Sequence, residues 1–376
     1  MTLPTYGAIP RRLVVVVILC LLASPVHALT SVYEVQSGDS LWEIASRFGT
    51  SVSTIKQLNK LKSSSIHPGQ RLLVGSSIRK IEANNGPYYY ASPKSETQKS
   101  RGYAESSSRS AREDYNRANR LIQAHLAELR DRFGKAKKRE SPLKGWRIML
   151  DPGHGGRDPG AIVSNETGDK EEVHVVEDEY VYDITMRVME RLMLYGAEVQ
   201  MTVLSPNHLK RDSFLAKETF VNEKNEVYND EAYNRKADPM VRPGSHNIKR
   251  RVMVANRFFK KGRKDKSLFV SLHADNSPQR PRGPLVIYQK KGSRMDKPSR
   301  TFAKIMQRAL DHRTVPSLIG SRNMAVLRDN RASAEILVEI RNVSSKADAW
   351  ALRFHEKRQE DADRIVRGVL DYATSR

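Results

Sequence analysis

The stretch Asp151-Pro152-Gly153-His154-Gly155-Gly156-Arg157-Asp158-Pro159-Gly160 follows directly on the apolar run Ile148-Met149-Leu150. A short apolar run bounded by turn residues reads as a strand buried on both faces. Four glycines and two prolines just beyond it favour neither strand nor helix. The segment therefore predicts a buried strand that ends in a glycine-rich loop carrying a histidine, where the main chain can approach a ligand closely. The pattern returns twice. Ser271-Leu272-His273-Ala274-Asp275 closes the apolar Leu268-Phe269-Val270, and Glu339 follows Ile336-Leu337-Val338. Two strand-end histidines with carboxylates suit a catalytic zinc site: three protein ligands, one position open to water, and a base alongside. No His-Glu-x-x-His run is present, so a thermolysin-type protease is unsupported.

Strands are expected at 147–151, 197–203, 267–273, 285–289, 323–328 and 335–340. Between them lie helical stripes: Val181, Ile184, Val188, Leu192 and Tyr195; Val252, Ala255 and Phe259; Phe302, Ile305 and Met306; Ala362, Ile365, Val369 and Tyr372. This alternation predicts a three-layer α/β domain over 145–376, a twisted sheet flanked by helices. Residues 76–143 read as a linker rich in Ser, Tyr, Lys and Arg. It contains an amphipathic helix at 111–137, with Tyr115, Ala118, Ile122, Leu126, Leu129 and Phe133 on one face, expected to pack on the large domain. Residues 163–176 lengthen the path after the glycine-rich loop. Residues 204–248 form a long polar insertion, expected to act as a cap or arm near the mouth of the site, with a core that folds without it. His174, His208 and His246 fall in these stretches and read as surface histidines.

Five blocks in order resemble the zinc-dependent N-acetylmuramoyl-L-alanine amidases of the type-3 amidase family. They are Asp151–Ala161, Glu177-Asp178-Glu179-Tyr180-Val181-Tyr182-Asp183-Ile184, Arg251-Val252-Met253-Val254-Ala255-Asn256, Ser271–Asp275 and Leu337-Val338-Glu339. The resemblance covers roughly residues 145–374. It implies a zinc ion held by His154, Glu177 and His273, with Glu339 as general base and Asp151 or Asp275 orienting a ligand histidine. The implied reaction is hydrolysis of the amide between N-acetylmuramic acid and L-alanine of the peptidoglycan stem. Glu171, Glu172 and Glu179 compete with Glu177 as ligand, and the register of Tyr182-Asp183-Ile184 favours Glu177. Thr202-Val203 and Ile340-Arg341-Asn342-Val343 depart from the family pattern at the cleft wall, which puts substrate preference in question more than metal binding. Between Gln289 and Asn323 there is room for one helix, too little for the occluding helix of some regulated members.

Arg11-Arg12, the apolar run Leu13–Ala23 and Ser24-Pro25-Val26-His27-Ala28 have the shape of a secretory signal over 1–28, and the run is too short for a comfortable membrane span. The one cysteine, Cys20, lies inside it. The formal charge is +22, and loss of Arg11 and Arg12 lowers it by two. An exported chain this basic is expected to meet anionic envelope polymers or lipid head groups rather than nucleic acid. The expected location is the periplasm or cell wall.

Residues 31–75 carry Tyr33-Glu34-Val35, Gly38-Asp39-Ser40-Leu41-Trp42, Ile55–Asn59 and Pro68-Gly69-Gln70-Arg71-Leu72. They resemble a LysM domain, a small βααβ unit. The resemblance implies binding of N-acetylglucosamine-containing glycan between Gly38, Asp39, Ser40 and Leu41 on one side and Asn59, Leu61 and Ile66 on the other. Three functions compete: a peptidoglycan amidase tethered to glycan, a catalytically silent binding regulator on the same fold, and a zinc hydrolase acting on a different amide of the stem. Retention of His154, Glu177, His273 and Glu339 favours an enzyme. Dependence on an activator protein is left open.

Overall fold

Two-sided burial is the reason the strands read as unbroken apolar runs. In the computed structural model, Ile148 and Leu150 of strand β3 (Arg147–Pro152) enter one core while Met149, between them, enters another. Strand β9 (Ser267–Asp275) divides in the same way, with Leu268, Val270 and Leu272 on one face and Phe269 on the other. So does β13 (Ala334–Asn342), with Ile336 and Val338 against Leu337. Alternate side chains leave a strand on opposite faces, so a sheet covered twice needs apolar residues at every position.

The structure describes residues 30–35, 41, 44, 52–63, 65–67, 69–75, 110–134, 141–166, 172–211, 220, 223–235, 241–291, 294–312 and 315–376. The proposed leader, most of the linker, and Gly38, Asp39 and Ser40 lie outside them. Among the described residues no helix is long and apolar enough to cross a membrane.

The main sheet runs β11-β10-β13-β9-β3-β6, with β12 paired to β10. Here β6 is Glu198–Met201, β10 Leu285–Lys291, β11 Arg294–Met295 and β12 Leu318–Arg322. The pairs β13–β9, β9–β3 and β3–β6 are parallel, and β10 runs antiparallel to β13. One face is covered by α3 (Glu177–Leu194), α5 (Lys297–Leu310) and α7 (His355–Thr374). The other carries α4 (Ser245–Phe259) and the short α6 (Ala325–Arg328). The expected three-layer α/β fold is therefore present.

The strand expected at 323–328 is a correction. The edge strand is Leu318–Arg322, and Ala325–Arg328 is a helical turn that buries Val326 and Leu327. A four-residue apolar run has the same pattern in a buried turn as in a strand. Residues 162–176 also hold a hairpin absent from the sequence reading, β4 (Ile162–Glu166) against β5 (Glu172–Val176).

Helix α2 (Ala111–Gly134) begins with a capping box, since Ser110 N donates to Glu113 Oε2 at 2.7 Å and Glu113 N donates to Ser110 Oγ at 3.4 Å. Ala118 and Ile122 enter the main core, so the helix packs on the large domain as expected. It also grips the insertion, through Arg117 Nε donating to Pro206 O at 2.8 Å.

The described residues of the insertion pack into the molecule. Strands β7 (Val203–Leu204) and β8 (Val227–Tyr228) pair, and Phe220 stacks on Tyr180 with ring centroids 4.5 Å apart. Arg187 and Arg358 both donate to the Arg211 carbonyl, at 3.0 and 2.8 Å, while their guanidinium groups share buried Asp183. Removing 206–244 would uncover the part of α3 that Phe220 and the Arg211 carbonyl cover.

The N-terminal unit is separate in its packing. Strands β1 (Thr30–Glu34) and β2 (Arg71–Gly75) pair antiparallel, with α1 (Val52–Leu58) beside them. Val35, Leu41, Ile44, Ile55, Leu72 and Val74 form its core.

Candidate functional site

The carboxyl ends of the parallel strands β3, β9 and β13 meet at one place, which is where open α/β sheets present ligand-binding groups. His154 follows β3 on the glycine-rich loop with φ of 64°, a conformation uncommon for a side chain with Cβ. Buried Arg251 holds the loop there. Its Nη1 donates to Asp151 Oδ1 at 2.8 Å and to Pro152 O at 2.5 Å, and its Nη2 donates to the His154 carbonyl. Glu177 opens α3, whose first amides are taken by the same loop: Glu177 N donates to Ala161 O at 2.9 Å and Asp178 N to Pro159 O at 3.2 Å. Helix amides left over at an N-terminus are thus used to fix the carboxylate against the loop. His273 lies near the end of β9.

These three side chains converge. Glu177 Oε1 is 3.4 Å from His154 Nε2 and 3.3 Å from His273 Nδ1. One donor atom from each lies within 4.8 Å of the others. Metal–ligand bonds of about 2.0–2.2 Å at tetrahedral angles place ligand atoms roughly 3.3–3.6 Å apart, so the residues fit a small divalent cation. The charge fits as well. Burial opposes ionisation of Glu177, yet hydrogen bonds from His154 and His273 outweigh it and hold the carboxyl well below its usual range. Burial likewise opposes a charged His154, but Asp158 and Glu177 push it up to about 10. The site's field favours positive charge.

The glycines make room for this convergence. A Cβ on Gly153 would stand 2.4 Å from the His273 ring, and one on Gly160 would stand 2.6 Å from Glu177 Oε2 and 2.7 Å from the His154 ring.

Glu339 lies opposite His273 in the β13–β9 register. It is half-buried, and its Oε2 has no hydrogen-bond partner. Burial pushes it up to about 7, with Glu177 and Asp275 adding to the rise against the pull of His273 and Arg280. A carboxyl poised near neutrality can both take and return a proton.

The orienting residues are a correction. Asp151 binds Thr202 Oγ1, Ser271 Oγ and Arg251 at 2.5, 2.7 and 2.8 Å, and Asp275 binds Ser277 Oγ and Arg280 Nε, both at 2.7 Å. Their oxygens are committed to these groups. The carboxylate on a ligand histidine is that of Asp158, with Oδ1 3.0 Å from His154 Nδ1. It sits four residues on within the same glycine-rich motif, a spacing that the sequence reading passed over. Arg251 appeared there only as part of a block, with no role.

His208 is a second correction. It is buried, not on the surface, and faces Glu179 and Glu226, also buried. His246 is exposed and His174 half-buried.

In the N-terminal unit, Leu41 gives its side chain to the core, and Leu61 and Ile66 pack against it. Asn59 is used locally: its Nδ2 donates to Ile55 O and Leu73 O, both at 2.8 Å, and its Oδ1 accepts from Leu73 N at 2.6 Å.

Comparison with known proteins gives two family matches. A model described as N-acetylmuramoyl-L-alanine amidase matches residues 148–371, and a LysM domain model matches residues 33–75. An uncharacterized cell wall amidase of Bacillus anthracis is 28% identical over 245 residues, 63% of this chain and 37% of its own. A probable autolysin of Staphylococcus aureus is 46% identical over 55 residues, 15% of this chain and 21% of its own. The chain thus spans less than half the length of either relative. Among solved structures, the N-acetylmuramyl-L-alanine amidase of Mycobacterium smegmatis is 23% identical with a TM-score of 0.43, covering 62% of this chain and 99% of its own.

Proposed function

The chain belongs to the N-acetylmuramoyl-L-alanine amidase family, and we propose that it is a cell-wall peptidoglycan hydrolase that cleaves the amide joining N-acetylmuramic acid to L-alanine. The observation that carries this reading is the convergence of His154 Nε2 and His273 Nδ1 on Glu177 Oε1, at 3.4 and 3.3 Å, with Glu339 in register beside His273.

His154, Glu177 and His273 would hold the cation, for which two imidazoles and a carboxylate favour zinc. When bound, it supplies Lewis-acid polarisation of the scissile carbonyl and makes the attacking water more acidic. Glu339 accepts the proton that the water loses and returns it to the leaving nitrogen of L-alanine. Asp158 holds the His154 ring in the tautomer with Nε2 free to ligate. Arg251 keeps the His154 main chain in place from below. The products are a glycan strand stripped of its stem and a free peptide beginning with L-alanine.

The LysM unit would hold the enzyme on glycan through Gly38, Asp39, Ser40, Leu41, Asn59, Leu61 and Ile66, and the whole chain's formal charge of +22 suits anionic wall polymers. This reading places the protein outside the cytoplasm, in the wall or periplasm, after removal of residues 1–28. The test is analysis of the peptides and glycans released from purified peptidoglycan by the zinc-loaded protein, with Glu339→Gln as control.

A further inference from the structure

Beside the first site lies a second group of ligating side chains that the proposed reaction does not use. Glu179 is on α3, His208 and Glu226 come from the insertion, and all three are buried. One donor atom from each lies within 4.8 Å of the others. His208 Nδ1 is 3.0 Å from the Leu209 carbonyl, a distance at which only a protonated Nδ1 is satisfied. In the neutral imidazole that contact leaves the lone pair on Nε2, the arrangement metal-binding histidines adopt; in the imidazolium Nε2 carries a proton towards Glu179. Nε2 faces Glu179 Oε2 at 3.3 Å without a hydrogen bond between them, and the cation already on that oxygen is Arg211 Nη2, at 3.0 Å. With His208 neutral, two buried acceptors face each other, and a cation between them would satisfy both.

A second observation points to the same place. A cavity of about 10 Å³ is lined by His154, Gly155, Asp178, Glu179, Val203 and Glu226, among others, with His208 outside its lining. That volume holds one ion or one water. Asp178 is 3% exposed, with Oδ1 accepting from Glu179 N and Oδ2 buried without a partner. Three carboxylates thus meet near one spot, and the guanidinium on Glu179, that of Arg211 at 3.0 Å, is shared with Glu223.

We propose that Glu179, His208 and Glu226, with Asp178 facing the same cavity, form a second divalent-cation site separate from His154, Glu177 and His273. One nitrogen and several carboxylate oxygens suit a first-row transition ion such as zinc or manganese. The ion fastens the insertion to α3 two residues beyond Glu177. Because Glu226 Oε2 also accepts from Gly156 N at 2.7 Å, it fastens the glycine-rich loop as well. The insertion is then a clasp that sets the position of His154. This proposal does not depend on which bond the enzyme cuts.

The test is zinc stoichiometry of the purified chain, stripped with chelator and titrated with zinc chloride, with circular dichroism to check folding. The wild type is expected to bind two equivalents. Glu226→Gln and His208→Gln are each expected to bind one, His154→Ala to bind one, and His154→Ala with Glu226→Gln none. If His208→Gln does not fold, the near-isosteric Glu226→Gln decides. A single wild-type equivalent, lost in His154→Ala and kept in Glu226→Gln, overturns the second site and leaves the first standing. A single equivalent lost in Glu226→Gln and kept in His154→Ala supports the second site and overturns the first. Two equivalents in both Glu226→Gln and His208→Gln overturn the proposal.

Discussion

Glu339 stands directly across from His273 on the neighbouring parallel strand, so one backbone register aligns the proposed base with a proposed ligand. Residues paired this way project from the same face of a sheet. Both are out of phase with Leu272 and Val338, which enter the core on the opposite face. A one-residue slip of β13 would send Glu339 into that core.

The chemistry follows from that pairing. A general base works only when deprotonated, so kcat/KM rises with pH through its pKa. Glu339 is pushed up to about 7, and a cation at the adjacent ligands pulls it down. The zinc-loaded enzyme is expected to show its acid limb below pH 7. Glu339→Gln should lower kcat by roughly 10²–10⁴-fold with zinc content unchanged. Undiminished turnover would remove Glu339 from the mechanism.

Asp158→Asn should weaken zinc at the first site by about 10–100-fold, the usual cost of losing a carboxylate behind a ligand histidine. Asp275→Asn, whose partners are Ser277 and Arg280, should change zinc affinity little. Competition with a chromogenic chelator measures both, and the reverse order would restore Asp275 as the orienting group.

Gly160→Ala combines a φ of +67° with a Cβ 2.6 Å from Glu177 Oε2. It is expected to lose the first-site zinc while the strands of the main sheet persist. Metal analysis and circular dichroism separate the two effects, and a variant with full zinc content would show that the loop yields.

Asp151 is buried, but Arg251, Thr202 and Ser271 outweigh that penalty and hold its carboxyl below the ordinary range. A depressed carboxylate contributes stability above its unfolded value, about pH 3.9, and that contribution fades as pH falls through its folded value. Buried Asp183, held down by Arg187 and Arg358, acts in the same direction. Arg251→Leu should cost about 3–5 kcal/mol at pH 7, because it strands a buried charge. The deficit relative to wild type should shrink as the pH drops below about 4. Urea unfolding at both pH values checks it.

Helix α2 belongs energetically to the large domain, since Ile122 is 6% exposed within its core. Ile122→Ala should cost about 2–5 kcal/mol in the unfolding of that domain. A cost near zero would show that the helix is only appended.

The layers, most strands and the strand-end placing of His154, His273 and Glu339 were legible because each rests on a local signal: apolar runs, helical stripes, a glycine-rich loop. Long-range polar packing had no such signal. His208 sits in a charged, proline-containing stretch that looks like surface, and only the fold brings it to Glu179 and Glu226. The role of Arg251 was hidden because its partners are main-chain oxygens of Pro152 and His154, about a hundred residues away in sequence. Asp158 was visible within the motif, but a carboxylate four residues from a histidine also fits a turn.

The most direct test of the account is mass spectrometry of products from purified peptidoglycan incubated with the zinc-loaded chain from Leu29 onward, alongside Glu339→Gln. Free stem peptides beginning with L-alanine, absent in the variant, are the expected result. Intact muropeptides, or a cut at another amide of the stem by a protein shown to carry its zinc, would contradict it.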